Sequence, residues 1–500
     1  MDSSPQPSLN KTITSILIAG LALVSPGLAQ NMGTLGLEDA IEMALSRNYT
    51  IQVQEFNPQI AAQNLRGQQG VFDPRLTAQI SQFKQETDQG VDPITNLPLS
   101  SRVENESYEV AVSGVLPTGT RYNLGLDIGN NRALFNNFVD EYDSFGGLTL
   151  TQPILNGFGF AENLSGIRVA RNNENISQWQ FRLTLMETIT DVIASYNALY
   201  FAEKNLEVAV NSRDLARQLL KENQRRVELG TMAEVDTLQA ASQLALREER
   251  VLNANRLFQN QKIRFLALIT DEVEPLLDLE VEISPPPQAA FLATEPKTDF
   301  QTALQKRPDY QQAILDLRNR EVLLARDARR ELPSLNLFGQ LGYSGTNRDA
   351  GQSFDQIGTL DFETSSIGAS LDYPLPNRTA RATRVASRLS KNQAELQLRR
   401  LQQFILTQVD IAARRIQTDW ERIEAARQAR EISERALEGE EKRLELGTTS
   451  SFVVLRLQSD LAEAEVRELQ AIVDYNQALA DYDLQLGRTL ETFNVTTAYD

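Results

Sequence analysis

Histidine and cysteine, the side chains behind most enzyme and metal chemistry, are both missing from this chain of 500 residues. Their absence removes thiolate nucleophiles, Ser-His-Asp triads, imidazole acid–base steps and Cys/His zinc sites together. Carboxylates remain, and two side by side can serve as an acid and its partner. Pairs such as Glu440 and Glu441, however, stand in helical charge runs with no pocket signature around them. They read as a solvated helix face, so no catalytic residue, metal ligand or cofactor is assigned. The net charge of −18 has the wrong sign for nucleic acid, whose binding draws its affinity from a basic face. The acidity fits the solubility of long charged helices, or an acidic lumen.

The informative spacing is a repeat. Arg226-Val227-Glu228-Leu229-Gly230-Thr231 recurs as Arg443-Leu444-Glu445-Leu446-Gly447-Thr448 at an offset of 217. In each copy a helical pattern runs to the Leu, Gly tolerates the left-handed conformation that stops it, and another helix opens at once. Thr231 and Glu234 have the spacing of a capping box for the second helix. Each copy therefore reads as the tip of an antiparallel hairpin. The match extends outward: Leu238 with Leu455 and Ala245 with Ala462 keep the offset of 217. Upstream, residues 147–156 (GLTLTQPILN) pair with 368–377 (GASLDYPLPN) at 221, and Pro74 with Pro333 at 259. The shrinking offsets place 38 extra residues between the strand-like stretches of the first copy and four extra in its long helix.

The elements that hold these tips follow from periodicity. Residues 1–29 have the parts of a secretory signal: Lys11, an apolar run from Ile13 to Val24, and Gly27-Leu28-Ala29 as a small-x-small cleavage site. With no Cys after the cleavage site, an N-terminal lipid anchor is removed, and no later run is long and apolar enough for a membrane helix. Amphipathic helices are expected from Leu35 to Asn48 and from Tyr49 to Gln69, with Pro58 a kink or restart. Alternation of period two then appears at Leu76 to Ile80, Tyr108 to Val112, Tyr122 to Ile128 and Leu148 to Leu150, and returns at Leu335 to Tyr343 and Ile367 to Tyr373. One apolar and one polar face suits a half-covered sheet, or a barrel strand with lipid outside and water inside. The long helices decide between them. Residues 161–229 and 378–446 lack any Pro, and at ~1.5 Å per residue each is about 100 Å long, beyond a compact domain. Return helices over 234–269 and 452–486, stacked end to end with short helices over 49–69 and 309–331, nearly match them. Rods charged on most sides need a shared water-filled passage to pack around. Between the halves lies a Pro-rich linker with Pro275, Pro285-Pro286-Pro287 and Pro296, and the tail after Arg488 reads as frayed.

At this point the sequence resembles the TolC-like outer membrane efflux protein family, on the tandem repeat, the Leu-Gly-Thr tips and the Arg307-Pro308-Asp309 opening of the second half. The resemblance implies a mainly α fold with a membrane β-barrel portion: a homotrimer whose strands share one barrel in the outer membrane and whose helical hairpins form an α-barrel through the periplasm. It implies a passive exit duct for efflux or type I secretion, energised by an inner-membrane pump through a periplasmic adaptor. Divided on that plan, the chain has a signal (1–29), equatorial and short helices (30–71), a first strand region (72–156), a first hairpin (157–270), a linker and short helix (271–332), a second strand region (333–377), a second hairpin (378–488) and a tail (489–500). The 38 extra residues are either a longer external loop or two more strands per chain, giving 12 or 18 strands in the trimer.

Leu229, Gly230, Thr231, Leu446, Gly447 and Thr448 are the implied adaptor-docking positions; the alternative is that each Gly only stops a helix. The periplasmic entrance is assigned to Glu234, Asp236, Val453 and Arg456. Here the chain departs from the family. Val453 and Arg456 stand where its best-known members have two aspartates, and the partners of the gate carboxylate matched by Asp236 are replaced by Leu444 and Thr449. A periplasmic helical-hairpin adaptor is the alternative from another class. A stalked surface adhesin lacks return helices, and an enzyme lacks a site.

Overall fold

The computed structural model describes residues 32–91, 93–94, 98–133, 138–271, 281–286 and 290–497. The expected signal over 1–29 and the linker residues Pro275 and Pro287 lie outside them. The first half runs β1 (Met32–Leu35), α1 (Leu37–Arg47), α2 (Tyr49–Gln69), β2 (Arg75–Val91), β3 (Pro98–Val115), β4 (Arg121–Ala133), β5 (Tyr142–Pro153), α3 (Phe160–Asn163), α4 (Ser165–Glu228) and α5 (Glu234–Ile269). The second runs β6 (Val281–Ile283), α6 (Pro296–Lys306), α7 (Pro308–Arg330), β7 (Ser334–Asn347), α8 (Ala350–Thr359), β8 (Glu363–Asp372), α9 (Arg378–Glu445), α10 (Ser451–Leu486) and α11 (Thr489–Thr492). No helix among the described residues is long and apolar enough to cross a membrane.

One compact unit takes the chain up to Pro58, Ser177–Gln312 and Arg399–Asp500. Each repeat builds its own core there. In the first, Ala40, Ile41 and Ala44 of α1 pack with Ile189, Val192 and Tyr196 of α4 and Phe265, Leu266 and Ile269 of α5. In the second, Ala303 of α6 packs with Ile405, Val409 and Ile416 of α9 and Ala471, Tyr475 and Tyr482 of α10. A third cluster joins the lower ends of both hairpins through Ala216, Leu219, Ala240, Leu437, Leu444, Val454 and Leu455. The small parallel sheet of β1 and β6 is tied in by Tyr196, whose hydroxyl lies 2.7 Å from the Ser284 carbonyl and 3.1 Å from that of Leu35. Burial pushes this phenol up to about 12, so it stays a neutral donor.

The repeat is preserved at its joints. Asn48, which ends α1, donates from Nδ2 to the Leu268 carbonyl at 2.9 Å. Its counterpart Arg307, which ends α6, donates from Nη1 to Gln485 Oε1 at 2.7 Å and to the Gln485 carbonyl at 3.3 Å, and Leu268 and Gln485 are themselves 217 apart. Arg307 also holds Asp309 bidentately, with Nη2 to Oδ2 at 2.7 Å and Nε to Oδ1 at 3.0 Å. This is why an Arg-Pro-Asp triplet opens the second half: Pro starts α7 where its missing N–H costs nothing, and the flanking charges lock the joint. Arg307→Ala is expected to lower stability by about 2–4 kcal/mol by stranding a half-buried carboxylate, read from circular-dichroism melts in detergent.

The other unit takes Gln59–Ile176 and Ala313–Leu398 and is built on one antiparallel sheet in the order β2-β3-β4-β5-β7-β8. Strand order equals chain order, with β6 elsewhere. The 38 extra residues are thus two more strands, which settles the choice left open above for a single chain.

Several expectations need correction. The first repeat's surplus is not inside its long helix: α4 has 64 residues against 68 in α9. The surplus lies ahead of α4, in the loop and short α3 that break at Leu164. Of the two readings of Pro58, the restart is excluded, since helix α2 continues through it, and burial of the ring offsets part of the lost hydrogen bond. The linker contains α6. The tail is not frayed over its described residues, 489–497: Thr489 and Leu490 are buried, and the Val495 amide bonds the Leu490 carbonyl at 2.8 Å.

Candidate functional site

The two tips have one geometry. Leu229 closes α4 and Gly230 follows with φ +72°; Leu446 closes α9 and Gly447 follows with φ +71°. The Gly230 amide donates to Val227 O at 2.9 Å and the Thr231 amide to Arg226 O at 2.8 Å; Gly447 and Thr448 repeat this on Leu444 and Arg443 at 3.1 and 2.9 Å. This double closure requires the residue after the helix to be left-handed. A Cβ on either glycine meets nothing within 4 Å, so backbone conformation and not crowding calls for glycine. The Thr hydroxyls reach back to the same carbonyls, Thr231 Oγ1 to Arg226 O at 2.9 Å and Thr448 Oγ1 to Arg443 O at 3.1 Å. The expected Thr231–Glu234 capping box therefore does not form: Thr231 finishes the helix behind it, and α5 starts from Ala233 without a side-chain cap. Leu229 and Leu446 are each 78% exposed. Matching glycine-closed turns thus present two leucines to solvent at positions that need no leucine for the turn.

Glu234 and Asp236 occupy the first turn of α5, and Val453 and Arg456 the start of α10. Among the described residues, no hydrogen bond or ion pair joins any two of these four. What joins the hairpins near their tips was not foreseen. Arg247 of α5, 2% exposed, donates from Nη1 to Ser212 O of α4 at 2.7 Å and from Nη2 to Leu455 O of α10 at 2.8 Å, with Gln458 Oε1 at 3.2 Å. Burial first, then the nearby charge of Arg250, pulls this guanidinium below the ordinary arginine value; it remains charged. Ser451 and Asn223, both buried, add a contact at 3.2 Å between Oγ and Oδ1. A signal for Arg247 exists in the sequence. Ala240, Arg247 and Ala254 fall at seven-residue spacing on the buried face of α5, whereas the second repeat has Leu457, Ala464 and Ala471 in the same places.

The sheet sorts its side chains into two unlike faces. Residues paired across antiparallel strands share a face, so the register gathers Leu76 and Ile80 with Val110 and Val112, Leu124 and Leu126, Leu148 and Leu150, Leu337 and Leu341, and Ile367 and Leu371. Most of them are exposed, Ile367 to 93%. The opposite face carries Gln79, Glu109, Asp127, Thr149, Gln340 and Ser366. The apolar band from Leu335 to Tyr343 is about 20–25 Å tall for tilted strands, the height of a membrane-barrel girdle. It ends sharply. The row Ile80, Tyr108, Ile128 is followed on the same face by Gln82, Glu106, Asn130 and then Lys84, Glu104, Arg132. There Lys84 Nζ meets Glu104 Oε1 at 2.9 Å and Arg132 Nε meets Asp140 Oδ1 at 2.6 Å.

Residues 40–270 and 300–488 match the family model described as outer membrane efflux protein. No curated protein matches the sequence. Among solved structures the chain is similar to the CmeC outer membrane channel of Campylobacter jejuni, with a TM-score of 0.67 at 15% identity over 93% of this chain and 90% of that one. It is similar to the open state of the MtrE outer membrane channel of Neisseria gonorrhoeae, with 0.64 at 17% identity and 97% of each chain. It is also similar to the outer membrane protein VceC of Vibrio cholerae, with 0.65 at 14% identity over 90% of this chain and 96% of that one. At these identities the likeness establishes the fold, an α-barrel and β-barrel channel protomer.

Proposed function

The chain belongs to the outer membrane efflux protein family, and from that premise we propose how it works as the outer membrane channel of an efflux system. Three copies close one barrel and one helical tunnel, through which substrates leave passively. A periplasmic adaptor docks on the exposed tips at Leu229 to Thr231 and Leu446 to Thr448 and couples the duct to an inner-membrane pump, in efflux or type I secretion. Glu234, Asp236, Val453 and Arg456 line the entrance without the acidic ring of the family's best-known members.

The observation that carries this reading is the open six-stranded sheet. It has one exposed face with a largely apolar band and, among the described residues, two unpaired edges, β2 and β8, which a soluble protein would have to cover. Because six is even, β2 and β8 run in opposite directions, so β8 of one copy can pair antiparallel with β2 of the next and close the ring. Six strands per chain give eighteen in a trimer, within the size class of barrels that leave an aqueous channel. The adaptor alternative draws no support from two hairpins in tandem with a single meander. Extracted from outer membranes, the mature protein is expected to run as a detergent-stable trimer and to conduct ions in planar bilayers. A water-soluble monomer without conductance overturns the reading.

A further inference from the structure

Helix α8, between β7 and β8, has no counterpart among the described residues of the first repeat and plays no part in the duct described above. All four connections to the helices, at Arg75, Pro153, Ser334 and Asp372, leave the sheet at one end. Helix α8 therefore sits at the opposite end, outside the cell. Asp349 starts it by accepting the Gln352 amide at 3.0 Å.

The helix is fastened to the apolar face of the sheet and not to the polar one. Ser353, fully buried, donates to the Tyr142 or Gly345 carbonyl (2.8 and 2.9 Å), and Ser144 Oγ meets the Ser353 carbonyl at 2.7 Å. Gly345 makes room for this contact: a Cβ there would lie 2.2 Å from the Ser353 carbonyl oxygen. Deeper, a Cβ on Gly146 would meet Ile357 Cγ2 at 3.2 Å and Leu126 Cδ1 at 3.5 Å. Ile357 thus rests on the same face as Leu126, which is paired with Gly146.

The level of the contact is as telling as its face. Ser144 pairs with Ile128, in the last apolar row before the face turns charged at Asn130 and Arg132. Helix α8 lies across that boundary, with Asp355 and the apolar Phe354 (46%) exposed on it and the apolar Leu360 (59%) and Phe362 (56%) exposed just past its end. It packs chiefly on β5 and β7, inner strands of the sheet, rather than on the β2 or β8 edge where another copy would pair. Its apolar side is continuous with the girdle.

We propose that α8 is an interfacial helix that seats the barrel in the outer leaflet, with Phe354, Leu360 and Phe362 among the acyl chains at the headgroup boundary. An amphipathic helix placed so resists displacement in both directions, since sinking buries Asp355 and rising exposes the aromatics. This rests on the apolar face being lipid-facing, and the test separates the two.

The chain has no cysteine, so single labels are unambiguous. Phe354→Cys, Asp355→Cys, Ile367→Cys and Val91→Cys carry an environment-sensitive fluorophore in phosphatidylcholine vesicles, quenched either by nitroxide-labelled acyl chains or by aqueous iodide. The label at 354 is expected to be quenched by the lipid nitroxide at least about half as strongly as that at 367, and the label at 355 by iodide as strongly as that at 91. A label at 354 as wet as that at 91, or one reached by neither quencher because another copy covers it, overturns the proposal. If the label at 367 is also wet, the girdle reading itself has failed.

Discussion

Replacing Leu229 and Leu446 together by Asp is expected to abolish export from living cells while leaving the purified channel trimeric and conducting. Both leucines stand on turns closed entirely by backbone bonds and the Thr hydroxyls. Neither turn leans on the leucine, so the fold does not change. An adaptor that buries both loses about 1.5–3 kcal/mol per leucine and must also desolvate two carboxylates. Affinity should fall by about 100-fold or more. The measurement is dye or antibiotic efflux in cells with the native pump and adaptor, alongside single-channel conductance of the same variant. Gly447→Val is the contrasting variant: φ +71° strains any β-branched residue, so it disturbs the turn itself and should cost stability as well as export. Unchanged efflux in the double Asp variant would leave the glycines as simple helix stops, the reading that competes with docking.

The tips were legible because everything that shapes them is local: a Gly one step past the helix, a Thr after it, and the pair repeated. The long helices were legible because nothing interrupts them, and the girdle because alternation needs only a register to become a face. The misses share a cause. The capping box at Thr231 and Glu234 has the right spacing, but the Thr231 hydroxyl is already committed to Arg226. Spacing cannot tell which helix end claims it. Residues 82–91 and 98–106 break the alternation because they lie beyond the apolar band, and only pairing, with one another and at 103–106 with β4 as well, makes them strands. Helix α8, with Gly351 and Gly358 in ten residues, has poor intrinsic propensity; it exists because Ser353 and Ile357 dock on β5 at Tyr142, Ser144 and Gly146, more than 200 residues away in sequence. The burial of Leu490 likewise depends on a core assembled from α1, α4 and α5.

Arg247→Ala is expected to cost about 2–4 kcal/mol, since it strips two or three hydrogen bonds from a charged donor and leaves a hole. The site borders a cleft of about 570 Å³ lined in part by Asn205, Arg250 and Ser459, so water can enter the vacated space. Arg247→Met should behave differently. It keeps the stem volume and removes a buried charge that, among the described residues, has no carboxylate partner, an exchange that is often neutral or stabilising. If Arg247 only fills space, the Met variant matches the parent in every respect. If it sets the register between hairpins, the melting temperature holds while amide exchange in residues 451–459 and 205–216 quickens about tenfold, the equivalent of ~1.4 kcal/mol of local opening. The second outcome is expected, because the apolar cluster beside it consists of Ala216, Leu219, Ala240, Val454 and Leu455. Such residues pack almost equally well one turn up or down. The directional bonds of Arg247 to Ser212 and Leu455 distinguish one register from its neighbours. The second repeat has Ala464 at the matching place, so each chain carries this constraint once, and losing it frees one hairpin to slide against the other.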